Sequence, residues 1–230
     1  MSEIDKNGVE PSAIESFTDG NLTIAELRDR VAGLERWEVD KIVFGLASVI
    51  KVQKLRQEGL INNLHRDRVT GILNRAGLED RYAESQKVKR QTDTPLPGVV
   101  VMLDIDNFKK INDSRGHAEG DKLLRRSAEI IEFAVRGGDA VGRCGGDEFI
   151  ALLRNTELDG GLAVAKRILE RREALVPTDS SMALTGFSIG IAPIDYSKPF
   201  KQVYEPADLA MYAAKENGGG QVCVSDQIAA

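Results

Sequence analysis

The sequence predicts an α+β domain over residues 67–230, with a central, mainly antiparallel sheet flanked by helices. Three observations point to it. Val99-Val-Val-Met-Leu103 is an unbroken apolar run rich in valine, which reads as a buried central strand. Val141 to Cys144 and Phe149 to Leu153 are short apolar segments on either side of Gly145-Gly146. They read as a hairpin whose glycines supply the positive φ angles of a tight turn. Elsewhere apolar residues recur three and four apart, so helices alternate with the strands.

Residues 1–20 mix Gly, Pro, Ser and acids with few large apolar side chains, and read as a disordered leader. Residues 21–66 read as an N-terminal helical region. Thr23 and Glu26 form a capping box, and Leu27, Val31, Leu34, then Ile42, Leu46, Val49, carry an apolar stripe. Gln53 and Arg56 break that seam, so a dimerising coiled coil, a small bundle and helices packed on the next domain all fit. Asp67-x-x-Thr70-Gly71 combines capping groups with a turn residue and marks the junction. A helix follows from about Asn74 to Lys89, then an exposed loop from Gln91 to Gly98.

Beyond the Val99 strand, Asn107 to Asp113 is a strand-to-helix turn, and Leu124, Ala128, Ile131 and Val135 bury one face of a helix. Glu157 to Leu175 is a further helix, with Leu162, Ala165, Ile168 and Leu169 inward. Ala183 to Ala192 is a strand in which Gly186 and Gly190 let neighbours approach closely. Glu205-Pro-Ala-Asp208 opens the last long helix, which closes at Asn217-Gly-Gly-Gly220 before an edge strand, Gln221 to Val224.

Bulk properties exclude several classes. A net charge of −5 argues against non-specific nucleic-acid binding. Cys144 and Cys223 make no disulfide framework, which fits a reduced, cytoplasmic setting. No signal peptide is read, and the apolar stretch Ile42 to Ile50 is far short of the ~20 residues a membrane span needs.

The chemistry concentrates where two acidic corners are expected to meet. The Val99 strand ends in Asp104, with Asp106 on the same face two residues later. Buried strands seldom end in two carboxylates without cause, because unpaired charge near a core is costly. Asp147 and Glu148 sit at the hairpin tip. If the corners are adjacent, Asp104, Asp147, Glu148 and the Ile105 carbonyl converge as hard oxygen ligands. That set suits Mg²⁺, and with it phosphoryl transfer. The reading requires Asp104 beside Asp147 with no basic side chain filling the gap. At the next helix start, backbone N–H groups about Phe108, with Lys109 or Lys110 alongside, suit a phosphate, although an ordinary first turn has the same spacing. Asn112 and Asp121 on one wall suit guanine, whose N1–H and N2–H a carboxylate accepts; adenine lacks those donors.

These residues carry a resemblance. Gly145-Gly-Asp-Glu-Phe149 matches the signature of the diguanylate cyclase, or GGDEF-domain, family. Asp67 to Arg75, Asp104 to Asp113, Gly116 to Asp121, Phe187 to Ile191 and Ala207 to Lys215 resemble its other motifs, in order, over roughly residues 67–225. The resemblance implies a palm-like fold akin to nucleotidyl cyclases. It also implies condensation of two GTP into cyclic di-GMP across a homodimer. Asp104, Ile105, Asp147 and Glu148 would hold two Mg²⁺ (or Mn²⁺) per half-site, with Asp147 and Glu148 catalytic. Asn112 and Asp121 would contact guanine, with His117 in the same pocket, while Lys215 joins Phe108 and Lys109 in holding the substrate. Arg136 and Asp139 match the family's inhibitory product site. One departure stands out: the family usually continues Gly-Arg-Asn, and this chain has Gly218-Gly219-Gly220. Backbone N–H groups of that run are expected to substitute in part for the missing cation.

Overall fold

The structure, a computed structural model, describes residues 64–90, 97–176, 182 and 185–225. The leader expected over 1–20, nearly all of the helical region over 21–66 and most of the loop over 91–98 lie outside the described residues. So do residues 183 and 184, the start of the strand expected over Ala183 to Ala192.

In chain order the elements are β1 (Leu73–Asn74), α1 (Arg75–Arg90), β2 (Gly98–Ile105), α2 (Phe108–Arg115), α3 (His117–Ala134), β3 (Ala140–Arg143) and β4 (Glu148–Arg154). Then come α4 (Leu158–Leu175), β5 (Phe187–Pro193), α5 (Phe200–Val203), α6 (Glu205–Glu216) and β6 (Val222–Val224). The six strands form one sheet in the order β1-β3-β4-β2-β5-β6. Its inner pairings, β3 with β4, β4 with β2 and β2 with β5, are antiparallel. Both edge pairings, β1 with β3 and β5 with β6, are parallel. A parallel neighbour needs a crossover, and α5 with α6 supplies it between β5 and β6. The sheet is therefore mixed, antiparallel at the centre as expected.

All eight residues of β2 are buried, because helices cover both faces. Alternation along the strand divides them between two cores. Val99, Val101, Leu103 and Ile105 pack with Leu124, Ile131 and Ile168 of α3 and α4. Val100 and Met102 face the other way, with Leu78 and Tyr82 of α1 and Ala207 and Met211 of α6. Asp104 continues the Val100–Met102 face, under α6. That helix lies close on β5, because a Cβ at Gly190 would fall on the Ala207 carbonyl and the Met211 amide. Two short elements, β1 and α5, have no counterpart in the sequence reading; at 2 and 4 residues they are too short to show a period.

The hairpin differs from expectation in one respect. Neither Gly145 nor Gly146 is among the glycines with positive φ. The turn is wider than a two-residue one, closed by the Cys144 N–H donating to the Glu148 carbonyl at 3.0 Å. Loops of this length are built around type I turns, which need no positive φ. A Cβ at Gly145 would meet the Glu148 carboxylate, 3.1 Å from its carbon, so the glycine leaves that side chain its present position.

Candidate active site

Sheet register brings the two acidic corners together. Asp104 is the direct partner of Glu148 in the β2–β4 pair, and the Ile105 N–H donates to the Asp147 carbonyl at 3.3 Å. Asp104 is only 4% exposed. Burial pushes its carboxyl up to about 6; Asp147 and Glu148 add to the rise, and the Lys215 ammonium opposes it. Glu148 is also raised, by burial first, then by Asp208 and Asp147.

The gap is not free of basic groups. Lys215 Nζ lies 2.8 Å from Asp104 Oδ2. Burial alone would lower the lysine, but the hydrogen bond and charge of Asp104, with Asp147 and Asp106 behind it, hold it above its ordinary value. This is the lysine expected to hold a triphosphate, and it reaches the site from the last turn of α6 with its side chain 37% exposed. The requirement of an open gap is not met: the basic group on Asp104 is Lys215, a partly exposed side chain of the cavity wall.

A cavity of about 380 Å³ opens on this strand end, lined among others by Asp104, Ile105, Phe108, Lys109, Asp147 and Lys215. That volume is in the range of small-molecule sites. Asn107 starts α2 in the left-handed region at φ 60, and its side chain accepts from Lys110 Nζ at 2.8 Å. Lys110 is thereby tied down, whereas Lys109 faces the cavity.

Asp106 plays a different part. Its carboxylate accepts from Ser188 Oγ at 2.6 Å and from the Gly220 N–H at 2.8 Å. Gly218, Gly219 and Gly220 all have positive φ, 105, 75 and 64. The first two close α6 through Gly218 N–H to the Lys215 carbonyl and Gly219 N–H to the Ala214 carbonyl, both 3.0 Å. The expected substitution of these N–H groups for the family arginine therefore does not hold: all three already have acceptors within the fold.

Sequence reasoning missed Arg143. Its guanidinium donates to the Gly146 carbonyl at 2.7 and 3.1 Å and to the Asp67 carboxylate at 3.1 and 3.2 Å. It thus pins the hairpin tip to the Asp67–Gly71 turn. Asp67 also accepts from the Thr70 N–H and hydroxyl at 2.9 and 2.7 Å. Burial works to raise its carboxyl, and these hydrogen bonds with the Arg143 charge overcome that and lower it. The signal available was position: an arginine two residues before the paired glycines, on the strand that carries the turn.

Asn112, His117 and Asp121 are not in the 380 Å³ cavity lining. Asn112 and Phe108 lie against Gly120, the residue before Asp121, where α2 meets α3; His117 is exposed at the start of α3. Arg136 and Asp139 lie apart from the acidic site, on a second cavity of about 320 Å³. Asp139 accepts from the Arg136 N–H at 2.9 Å and the Arg154 N–H at 3.0 Å, so its carboxylate shapes the turn, while Arg136 is exposed.

The residues fit a divalent cation by their chemistry. A carboxylate buried beside two other acids needs positive charge, and the donors are hard oxygens suited to Mg²⁺ or Mn²⁺. Among the described residues no three acids, histidines or cysteines surround one point closely enough to hold an ion as they stand. The charge is met instead by Lys215.

A helix-flanked mixed sheet with acids at the end of its central strand, beside a cavity lined by two lysines, is a palm-like architecture. Residues 64–221 match the family described as diguanylate cyclase, GGDEF domain, and the chain belongs to that family. It is 36% identical over 182 residues to the cyclic di-GMP phosphodiesterase PdeR of Escherichia coli, covering 76% of this chain and 26% of PdeR. It is 33% identical over 185 residues to the diguanylate cyclase DgcM of the same organism, covering 80% of this chain and 44% of DgcM. The chain thus spans less than half the length of these curated relatives. The fold is similar to the coiled coil and GGDEF domain of DgcB from Caulobacter crescentus, solved in complex with c-di-GMP. There the TM-score is 0.65 at 26% identity, covering 78% of this chain and 96% of that one. Among the described residues no helix is long and apolar enough to cross a membrane.

Proposed function

We propose that this chain is a diguanylate cyclase, working in the cytoplasm, that condenses two GTP into cyclic di-GMP and two pyrophosphates across a homodimer. The observation that carries the reading is the meeting of Asp104, Asp147 and Glu148 at one strand end, beside a cavity that also holds Lys109 and Lys215. Asn112 and Asp121 read the guanine edge with His117 near them, and the α2 start at Phe108, with Lys109 and Lys215, holds the triphosphate. Two Mg²⁺ (or Mn²⁺) ions per half-site, held by Asp104, the Ile105 carbonyl, Asp147 and Glu148, would supply polarisation of the α-phosphate. Asp147 accepts the proton of one GTP's 3′-hydroxyl as that oxygen bonds to the α-phosphorus of the other. The α–β phosphoanhydride breaks and pyrophosphate leaves with its electron pair. The same step from the facing half closes the ring. Arg136 and Asp139 form an inhibitory site for the product, Arg136 through bidentate donation to guanine or phosphate. Arg136→Ala is then expected to remove product inhibition from progress curves.

The glycine run favours a second reading, a GGDEF domain of low or no activity that binds GTP or cyclic di-GMP as a regulatory module. It supplies neither the family arginine nor a free N–H. Incubation with GTP and Mg²⁺ followed by mass spectrometry separates the two. Cyclic di-GMP in the wild type and none in Asp147→Ala supports the cyclase; bound GTP without cyclic product supports the module.

A further inference from the structure

We propose that Lys215 is a resident counter-ion of Asp104, which a divalent cation displaces and which then moves to the substrate's triphosphate. This rests on the cyclase or GTP-binding reading of the site. The Asp104 carboxylate has Lys215 as its one side-chain partner among the described residues, at 2.8 Å, and that carboxylate is 5% exposed. An ion on Asp104 Oδ2 meets an ammonium already on that oxygen, and an ion on Oδ1 of the same carboxylate still stands close beside that ammonium, so the two cations repel.

Lys215 is built to move. Its ammonium ends a flexible four-carbon stem with no acceptor fixing it but Asp104, and more than a third of its side chain is exposed. The cavity beside it has Lys109 and Lys215 as its basic lining residues, and Gly218 and Gly219 line the same wall with their N–H groups occupied. A triphosphate entering here meets few donors unless Lys215 leaves Asp104. Metal and nucleotide therefore bind as an exchange. The ion relieves Asp104 of its lysine, and the phosphates give the freed lysine a partner.

The exchange predicts opposite signs for one substitution. Mn²⁺ binding to the full chain is measured by electron paramagnetic resonance, alone and with a GTP analogue carrying a methylene between the α- and β-phosphates. Lys215→Met is expected to tighten binding of Mn²⁺ alone by roughly two- to fivefold, the size of one partly exposed ion pair. The same variant is expected to loosen the Mn²⁺–analogue complex by a similar factor. In an Asp104→Asn background the effect on Mn²⁺ alone is expected to vanish. Lys215→Gln repeats the test if the methionine variant folds poorly by circular dichroism. Unchanged or weaker Mn²⁺ binding in both Lys215 variants overturns the exchange. Wild-type chain that binds no Mn²⁺ even with the analogue overturns the underlying site reading as well.

Discussion

Two carboxylates stand two residues apart at the end of the central strand, and they are held in opposite ways. Asp106 is fixed by a buried hydroxyl and a backbone N–H, within a cradle of Gly186 and Gly219. Asp104 is more deeply buried, yet it has one partly exposed ammonium and two like charges nearby. Rigid neutral donors make an acid part of the architecture. A movable cation leaves it available to whatever cation binds better. The difference separates structural from chemical acids where sequence spacing does not.

Substitution at each acid tests this contrast. Asp104→Asn is expected to lower cyclic di-GMP formation by on the order of a thousandfold or more, ~4 kcal/mol of barrier, in a fold that remains intact. The same change is expected to stabilise the metal-free protein at neutral pH. Folding raises the Asp104 carboxyl from 3.8 to about 6. Below pH 3.8 both folded and unfolded chains keep the proton, and stability is unaffected. Between 3.8 and 6 the unfolded chain has released it and the folded one has not, so stability falls as pH rises. Above about 6 the full cost, on the order of 2–3 kcal/mol, is present. Melting in EDTA from pH 4.5 to 7.5 reads this as a widening gap between wild type and Asp104→Asn. Parallel curves would mean that Asp104 carries no such burden.

Asp106→Ala is expected to act through stability. It leaves Ser188 Oγ and the Gly220 N–H without their acceptor, at a cost of about 1–3 kcal/mol. The loss is expected in EDTA and in Mg²⁺ alike. A variant that melts like wild type and loses only turnover would place Asp106 with the chemical acids.

The contrast also marks what could be read from the chain. The valine run, the hairpin and the acidic strand end were legible because each is a local pattern of a few residues. The partners that give the acids their roles were not. Ser188 is 82 residues from Asp106 and Gly220 is 114, and the contacts depend on the register of β5 against β2 and of β6 against β5. Asp67 and Arg143, 76 apart, meet for the same kind of reason, through the parallel pairing of β1 with β3. Register is set by whole-sheet packing, so no window of sequence displays it.

The smallest effect comes from the wall that Asp106 supports. The family arginine suggests that Gly219→Arg would restore a phosphate contact, but the backbone argues otherwise. Gly219 sits at φ +75, where a side chain is strained, and a Cβ there would lie 2.8 to 3.1 Å from the Asp106 carboxylate. That carboxylate has little room to give way while it holds Ser188 and Gly220. Gly219→Ala is therefore expected to cost about 1 kcal/mol, a fall of roughly 2–4 °C in melting temperature for a domain of this size. Gly219→Arg is expected to cost at least as much without tightening binding of the GTP analogue. Tighter binding at an unchanged melting temperature would show that the loop has a second conformation, and that Asp106 holds it less firmly than its two hydrogen bonds imply.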